Sequence, residues 1–502
     1  MTAPATQRRP AVSLRAVAAA FALGAFCVLG FAPFDAYFAV WPAPTFSLGG
    51  LYLLWRRAAT AREALLLGLA WGAGCFLLGV SWVYVSLSQF GGMAPPAAAA
   101  ATLLFCLYLA LFPALAGALF LRWRRSTARD VWLFAGLWAL SEWLRGTLFT
   151  GFPWLAVGYS QSPPSPLAGW ASVLGVYGVG FIVALIGALL GQMLGEMHSA
   201  GWRKPRAWIS ILLLLGFGSI LRLMDWTQPV GSPITVSLLQ GNVPQSMKWD
   251  PNRLSLSVDT YVSLARTHPA TLTVLPETAI PLYFSEVPRE VLRDLTSHGD
   301  ALFGVAIGTT DGGYTNGAVA LTPQFAASAY AKRHLVPFGE YPPPGFAWFF
   351  NFARIPMSNF TAGPPHQEPL AVAGQRIAPN ICYEDLFGDE LLGSLPAATL
   401  LVNLSNTAWF GDSLAQPQHL QIAQLRAIET GRVMLRATNT GMTAMVAANG
   451  TIAAALPPFV NAALVVQAQG RTGLTPYARW GNLLALLIAV GACLTAARSR
   501  KN

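Results

Sequence analysis

Long apolar runs, separated by short arginine-bearing segments, fill the first 225 residues and constrain this chain more than any other feature. A helix that crosses a bilayer needs about 20 mostly apolar residues, since each backbone N–H and C=O must be satisfied inside a segment that no water reaches. Seven runs qualify, at about 14–33, 38–55, 64–87, 97–121, 131–149, 167–193 and 207–224, and an eighth lies at about 480–497. Composition agrees: 54% of residues are hydrophobic and only 11% charged, whereas a soluble protein carries roughly 25% charged residues. The expected fold is therefore a multi-span α-helical membrane domain of about eight helices. Residues 1–225 form its seven-helix part and 479–502 supply the last helix and a tail. Between them, 226–478 reads as a separate soluble domain.

Charge placement orients these spans. Arg8, Arg9 and Arg15 precede the first; Arg56, Arg57 and Arg62 follow the second; Arg122, Arg124, Arg125 and Arg129 follow the fourth. Arg203, Lys204 and Arg206 follow the sixth, and Arg498, Arg500 and Lys501 follow the eighth. The alternate loops, near Pro33, Gly92 and Pro163, contain no Lys or Arg. Basic loops stay on the cytoplasmic side, so both termini are expected there and 226–478 on the opposite face. The first run resembles a signal peptide but is read as an uncleaved anchor, because further spans follow at once. The net charge of +10 lies outside the near-balanced segment 226–478, so no nucleic-acid partner is expected. Glu142 and Arg145, near the outer end of the fifth span, read either as functional intramembrane charges or as a pair snorkelling to the interface.

Within 226–478, β-rich runs alternate with helical patterns. Strands are expected at 234–239, 271–275, 301–307, 318–321, 376–381, 399–403, 433–438 and 443–447, with helices at about 251–266, 286–297 and 415–431. Such alternation points to an α/β domain covered on both faces. Of five cysteines, Cys27, Cys75, Cys106 and Cys493 fall inside predicted spans and read as small apolar packing residues. Cys382 alone lies in the soluble domain, without a partner for a disulfide. It follows the apolar run 377–381, where a strand-to-helix turn presents a nucleophile to a cleft and offers backbone N–H groups to an oxyanion. A thiol needs a base, and Glu277, just past the strand at 271–275, is a candidate; its alternative role is a first-turn helix acid. Lys332 is the candidate cation, or else a solvated surface charge.

Glu277, Lys332 and Cys382, in that order, match the Glu-Lys-Cys set of the nitrilase superfamily. Longer strings resemble its membrane branch, the apolipoprotein N-acyltransferases: Gln240-Gly241-Asn242-Val243-Pro244-Gln245 with Lys248-Trp249, Pro276-Glu277-Thr278-Ala279, His334 to Tyr341, Cys382-Tyr383-Glu384, and Leu474 to Arg479. Flanking spans resemble that branch too, so the likeness covers nearly the whole chain. Two positions depart from it: Leu275 stands where the family often has Trp, and Thr407 where it usually has Asp.

The resemblance implies an α-β-β-α sandwich for 226–478 and a multi-pass protein of the bacterial inner membrane whose catalytic domain is periplasmic. It implies that Glu277 deprotonates Cys382, that the thiolate takes an acyl chain from a membrane phospholipid as a thioester, and that Lys332 and the Tyr383 N–H stabilise the oxyanion. The acceptor would be the α-amino group of a diacylated apolipoprotein's N-terminal cysteine. Glu340 would orient Lys332, Tyr383 and Glu384 would shape the pocket, and Trp249 would line it. No cofactor or metal is implied, and a monomer is expected. Trp348, Phe349, Phe350, Trp409 and Phe410 read equally as a mobile apolar lid or as packing. Rival readings are a tethered amidase using the same residues, a Cys-His hydrolase using His334, His366 or His419, and a transporter or scaffold. Of these histidines, His334 reads as a neighbour of Lys332 on one face, and His419 as solvated or capping.

Overall fold

A computed structural model describes residues 12–34, 40–125, 127–196, 205–245, 254–310, 312–345 and 359–497. Helices occupy every predicted span: α1 (Leu14–Cys27), α2 (Ala43–Arg57), α3 (Ala61–Gly79), α4 (Pro95–Trp123), α5 (Thr127–Arg145), α6 (Ala171–Gly195), α7 (Pro205–Arg222) and a C-terminal helix, Leu483–Ala497. Among the described residues, four segments are long and apolar enough to cross a membrane: Ala61–Gly79, Pro95–Trp123, Pro166–Gly195 and Pro205–Arg222. Leu14–Gly30 and Leu483–Ala496 are shorter apolar helices. The sequence dictates some boundaries locally. Thr60 caps α3 by accepting the Glu63 N–H at 3.2 Å, and Glu63 reaches back to the Ala59 N–H at 2.8 Å. The third run was predicted to continue to 87, but α3 ends at Gly79 and the chain turns before a short helical stretch at 83–90. Helices α2 and α6 meet through glycines: a Cβ on Gly49 would lie 2.7 Å from the Gly187 carbonyl, and one on Gly187 would lie 2.6 Å from that of Thr45. Small residues allow this approach, which carries packing where no hydrophobic drive exists between helices.

The soluble segment forms two sheets. The first has the order β13-β1-β2-β4-β5-β6, with β3 beside β4. Its strands are β1 (Thr227–Gln240), β2 (Leu272–Val274), β3 (Ile280–Tyr283), β4 (Asp300–Gly308), β5 (Tyr314–Leu321), β6 (Ala327–Ala331) and β13 (Ala462–Gly473). The second has the order β12-β11-β10-β9-β8-β7. It comprises β7 (Leu370–Val372), β8 (Gln375–Ile381), β9 (Leu400–Ser405), β10 (Met434–Thr438), β11 (Ala444–Val446) and β12 (Ile452–Ala455). Strands β1, β2 and β4 run parallel, as do β8, β9 and β10, and antiparallel strands flank both sets.

Apolar side chains of the two sheets, such as Val236, Leu238 and Val274 against Ile377, Val402 and Leu435, share one buried layer. Helices α8 (Leu254–Thr267) and α9 (Arg289–Leu295) cover the outer face of the first sheet. Helix α10 (Ala415–Thr430) covers the second through Leu420, Ala423 and Ala427. The result is the expected α-β-β-α sandwich.

Helix α10 also faces the membrane helices. Ile422, Leu425 and Ile428 join their apolar core, while polar residues bond across: Trp154 Nε1 donates to Gln418 at 2.7 Å, the Val176 N–H to Glu429 at 2.7 Å, and Arg426 to the Tyr159 hydroxyl at 2.6 Å. His419, read as solvated, is instead buried within this helix, because both faces of α10 are covered. Glu142 and Arg145 do not snorkel. Both are buried; Glu142 accepts the Val157 N–H at 2.8 Å, and Arg145 donates to the Phe152 and Trp154 carbonyls at 2.5 and 2.7 Å. They fasten the loop that follows α5.

Candidate active site

The site forms where strands of both sheets end. Buried β8 stops at Ile381, and Cys382 opens a tight turn over Cys382–Leu386. Its φ is +53°, a left-handed backbone that costs a residue with a Cβ about 1–3 kcal/mol and persists only where its surroundings impose it. Neighbours do impose it. Asn403 on β9 donates to the Cys382 carbonyl at 3.2 Å and to Asn380 Oδ1 at 2.7 Å. Glu384 accepts the Ile381 N–H at 2.7 Å.

Glu277 follows β2 and Lys332 follows β6. Lys332 Nζ lies 3.4 Å from Glu277 Oε1 and 2.9 Å from the Glu340 carboxylate. Asn316 on β5 bridges the two acids, donating to Glu277 Oε1 and to Glu340 Oε1 at 2.8 Å each. The Asn406 N–H, at the end of β9, holds Glu277 Oε2 at 2.9 Å, and the Val336 N–H holds Glu340 Oε2 at 2.8 Å. All three charged side chains are buried. An isolated buried ammonium would lose its charge. Burial does oppose the charge on Lys332, but Glu340 and Glu277 prevail and hold its pKa above the ordinary lysine value. Burial, then Glu277, pushes the Cys382 thiol up, and Lys332 acts against them. Cys382 thus lies buried within the field of a carboxylate and an ammonium.

Glu384 connects the two halves of this arrangement. Besides Ile381, it accepts from the Tyr330 hydroxyl at 2.9 Å and from the Arg333 and His334 N–H groups at 2.7 and 3.2 Å. One carboxylate therefore ties the Lys332 segment to the Cys382 strand. Burial raises its pKa, against the hydrogen bonds that favour its charge. The Tyr383 hydroxyl donates to the Gly151 carbonyl at 2.8 Å, and Tyr383, Leu386 and Phe387 belong to the apolar core of the membrane helices. The site thus abuts that region directly.

The structure brings together Glu277, Lys332, Glu340, Cys382, Tyr383 and Glu384. Trp249 lies outside the described residues, as do Trp348, Phe349 and Phe350. Trp409 and Phe410 are half-buried, with Trp409 against Phe90 and Phe410 against Trp82 and Trp154. His366 is exposed. His334 stacks on Phe387 at 3.6 Å and meets Glu390 at 2.9 Å, and His419 Nε2 faces Asp385 at 2.7 Å. Sequence reading missed Asn316, which lies in β5 just ahead of the predicted strand 318–321. It also missed the buried trio Asp385, His419 and Arg436. Among the described residues, no group of three or more His, Cys, Asp or Glu side chains is placed to hold a metal ion.

Comparison with known proteins finds two family matches along the chain. Residues 23–189 match the apolipoprotein N-acyltransferase N-terminal domain family, and residues 235–477 match the carbon-nitrogen hydrolase family. The chain is 48% identical to an apolipoprotein N-acyltransferase of Nitrosomonas europaea, over 96% of this chain and 98% of that one. It is 44% identical to one of Ralstonia nicotianae, over 95% and 92%. Among solved structures, a CN-hydrolase superfamily protein from Xanthomonas campestris aligns with 47% of this chain and 91% of its own, at 19% identity and a TM-score of 0.38.

Proposed function

Since this chain belongs to the apolipoprotein N-acyltransferase family, we propose that it moves a fatty acyl chain from a membrane phospholipid to the α-amino group of a diacylated lipoprotein's N-terminal cysteine. Cys382 carries the chain between them as a thioester. The observation that carries this reading is the buried cluster of Glu277, Lys332 and Glu340, whose charges act on a Cys382 thiol held at positive φ in a turn whose next residue, Tyr383, packs into the core of the membrane helices.

The first half-reaction begins with proton transfer from the Cys382 thiol to Glu277. Sulfur attacks the ester carbonyl carbon, forming a C–S bond while the carbonyl oxygen becomes an oxyanion. Lys332 Nζ and the Tyr383 backbone N–H stabilise that charge in a site with little competing water. Collapse breaks the ester C–O bond, and the lysophospholipid leaves with the proton held by Glu277. In the second half-reaction the free amine attacks the thioester carbonyl. Glu277 removes the amine's proton, the C–S bond breaks, and the proton returns to sulfur. The two steps form a ping-pong cycle. Lys332 is pre-paired with two acids, so its ammonium keeps its position and charge throughout. Glu340 orients it, and Asn316 fixes both carboxylates at once.

In this reading residues 1–225 and 479–502 are the membrane part, with eight spans and cytoplasmic termini. Residues 226–478 are the periplasmic catalytic domain of an inner-membrane monomer. Trp249 lines the acyl pocket. The location of Tyr383 against the membrane core supports direct access for lipid substrates. Mass spectrometry of the purified protein mixed with phospholipid tests the reading: an acyl adduct, labile to hydroxylamine, is expected on the peptide containing Cys382 and not in Cys382→Ala. An unmodified Cys382 during turnover overturns it.

A further inference from the structure

Asp385 lies three residues beyond Cys382 and takes no part in the chemistry above. It is fully buried, and its carboxylate is held from two sides: His419 Nε2 is 2.7 Å from Oδ1, and Arg436 Nη1 donates to Oδ2 at 2.6 Å. Both partners are equally buried, His419 on α10 and Arg436 on β10. Taking the Asp385 and Arg436 charges out of water costs several kcal/mol per ion, and apolar residues of similar volume often stabilise a core as well or better. Stability alone is therefore a poor account of this trio.

What the trio fixes is the backbone of the Cys382 turn. Three consecutive side chains leave that turn in three directions. Tyr383 is bound to the Gly151 carbonyl, Glu384 to Ile381 and the Lys332 segment, and Asp385 to α10 and β10. Of these three tethers, the one from Asp385 reaches β10 and the covering helix α10, which the other two do not. Over-determination of this kind is what lets an unfavourable φ such as that of Cys382 persist. The same backbone carries the Tyr383 N–H. An oxyanion donor is effective only when it is aimed, about 2.7–3.1 Å away, at the place where charge develops.

We infer that Asp385, clamped by His419 and Arg436, is a positioning residue that fixes the Tyr383 N–H for oxyanion stabilisation in both half-reactions. This rests on the acyl-transfer reading above. It acts through backbone placement, not through the thiol. The Asp385 charge in fact opposes thiolate formation at Cys382, so catalysis and thiol reactivity respond to its loss in different ways.

The test compares two reactions of Cys382 in the full-length protein in phospholipid–detergent micelles. Acylation by phospholipid passes through an oxyanion, while alkylation by iodoacetamide does not. In Asp385→Asn, acylation is expected to fall about 10- to 100-fold, less than the roughly 100- to 1000-fold cost of losing an oxyanion donor outright, because the Tyr383 N–H is misdirected and not removed. Alkylation is expected to proceed at the wild-type rate or faster. His419→Gln leaves the Asp385–Arg436 pair intact, so it should show the same divergence at smaller amplitude and serves if Asp385→Asn does not fold. Acylation at the wild-type rate in both variants, or an equal loss of acylation and alkylation, overturns the inference. A wild-type protein that is alkylated but never acylated instead removes the acyl-enzyme reading and the inference with it.

Discussion

Glu384→Gln probes the link between the two halves of the site. All four groups around this carboxylate are donors: the Tyr330 hydroxyl and the N–H groups of Arg333, His334 and Ile381. An amide has one acceptor oxygen. Directed at the Tyr330, Arg333 and His334 cluster, it leaves its NH2 facing the Ile381 N–H. A hydrogen bond to a charged group contributes about 1.5–3 kcal/mol, and those that remain become neutral and weaker, so the expected destabilisation is about 2–4 kcal/mol. The kinetic effect should exceed what this loss of fold accounts for. Lys332 directly precedes Arg333, and a displacement of about 1 Å between catalytic groups can cost roughly 100-fold in rate. Single-turnover formation of the Cys382 adduct measures the rate, and thermal unfolding in detergent measures stability. A variant that unfolds at the wild-type temperature and acylates at the wild-type rate would refute the clamp.

Two further outcomes follow from backbone strain and from buried charge. Cys382→Gly and Cys382→Ala should both be inactive, but at a φ of +53° glycine should be the more stable by about 0.5–1 kcal/mol, the left-handed penalty less its greater chain entropy; an alanine variant that unfolds at the same temperature or higher argues against strain. Burial lowers the pKa of His419 from its ordinary 6.5, with Asp385 acting against burial. The unfolded chain therefore binds a proton that the folded imidazole resists. The stability this reflects is present above about pH 6.5 and declines as pH falls. Unfolding midpoints should drop more steeply from pH 6.5 to 5 in the wild type than in His419→Gln, and parallel curves would contradict the assignment.

The helices and the sandwich were legible because long apolar runs and alternating apolar strands leave strong local signals. All eight predicted strands are present, whereas β3, β6, β7, β12 and β13 were not predicted. Strand β13 lies at a sheet edge, half-exposed, and its Ala, Gln and Gly content has low strand propensity; it is fixed by long antiparallel pairing with β1. Glu277, Lys332 and Cys382 were legible from their resemblance to known motifs, and their meeting at the strand ends is what the topology adds. Asn316 and Asp385 were not, because a buried polar residue shows its partners only after folding. Nor was the burial of His419. Helix α10 looks amphiphilic to solvent in sequence, since Gln416, Gln418, Gln421 and Gln424 are spread around it, yet every one of these is buried.

That last helix bears on how such a protein can be divided. Gln418, Arg426 and Glu429 each take a partner on the other side of the boundary, so a fragment cut at residue 226 would expose a greasy, half-paired surface instead of a clean face. Recombining the two halves from different relatives would have to carry matching residues at positions 154 and 159, because the seam is a shared interior.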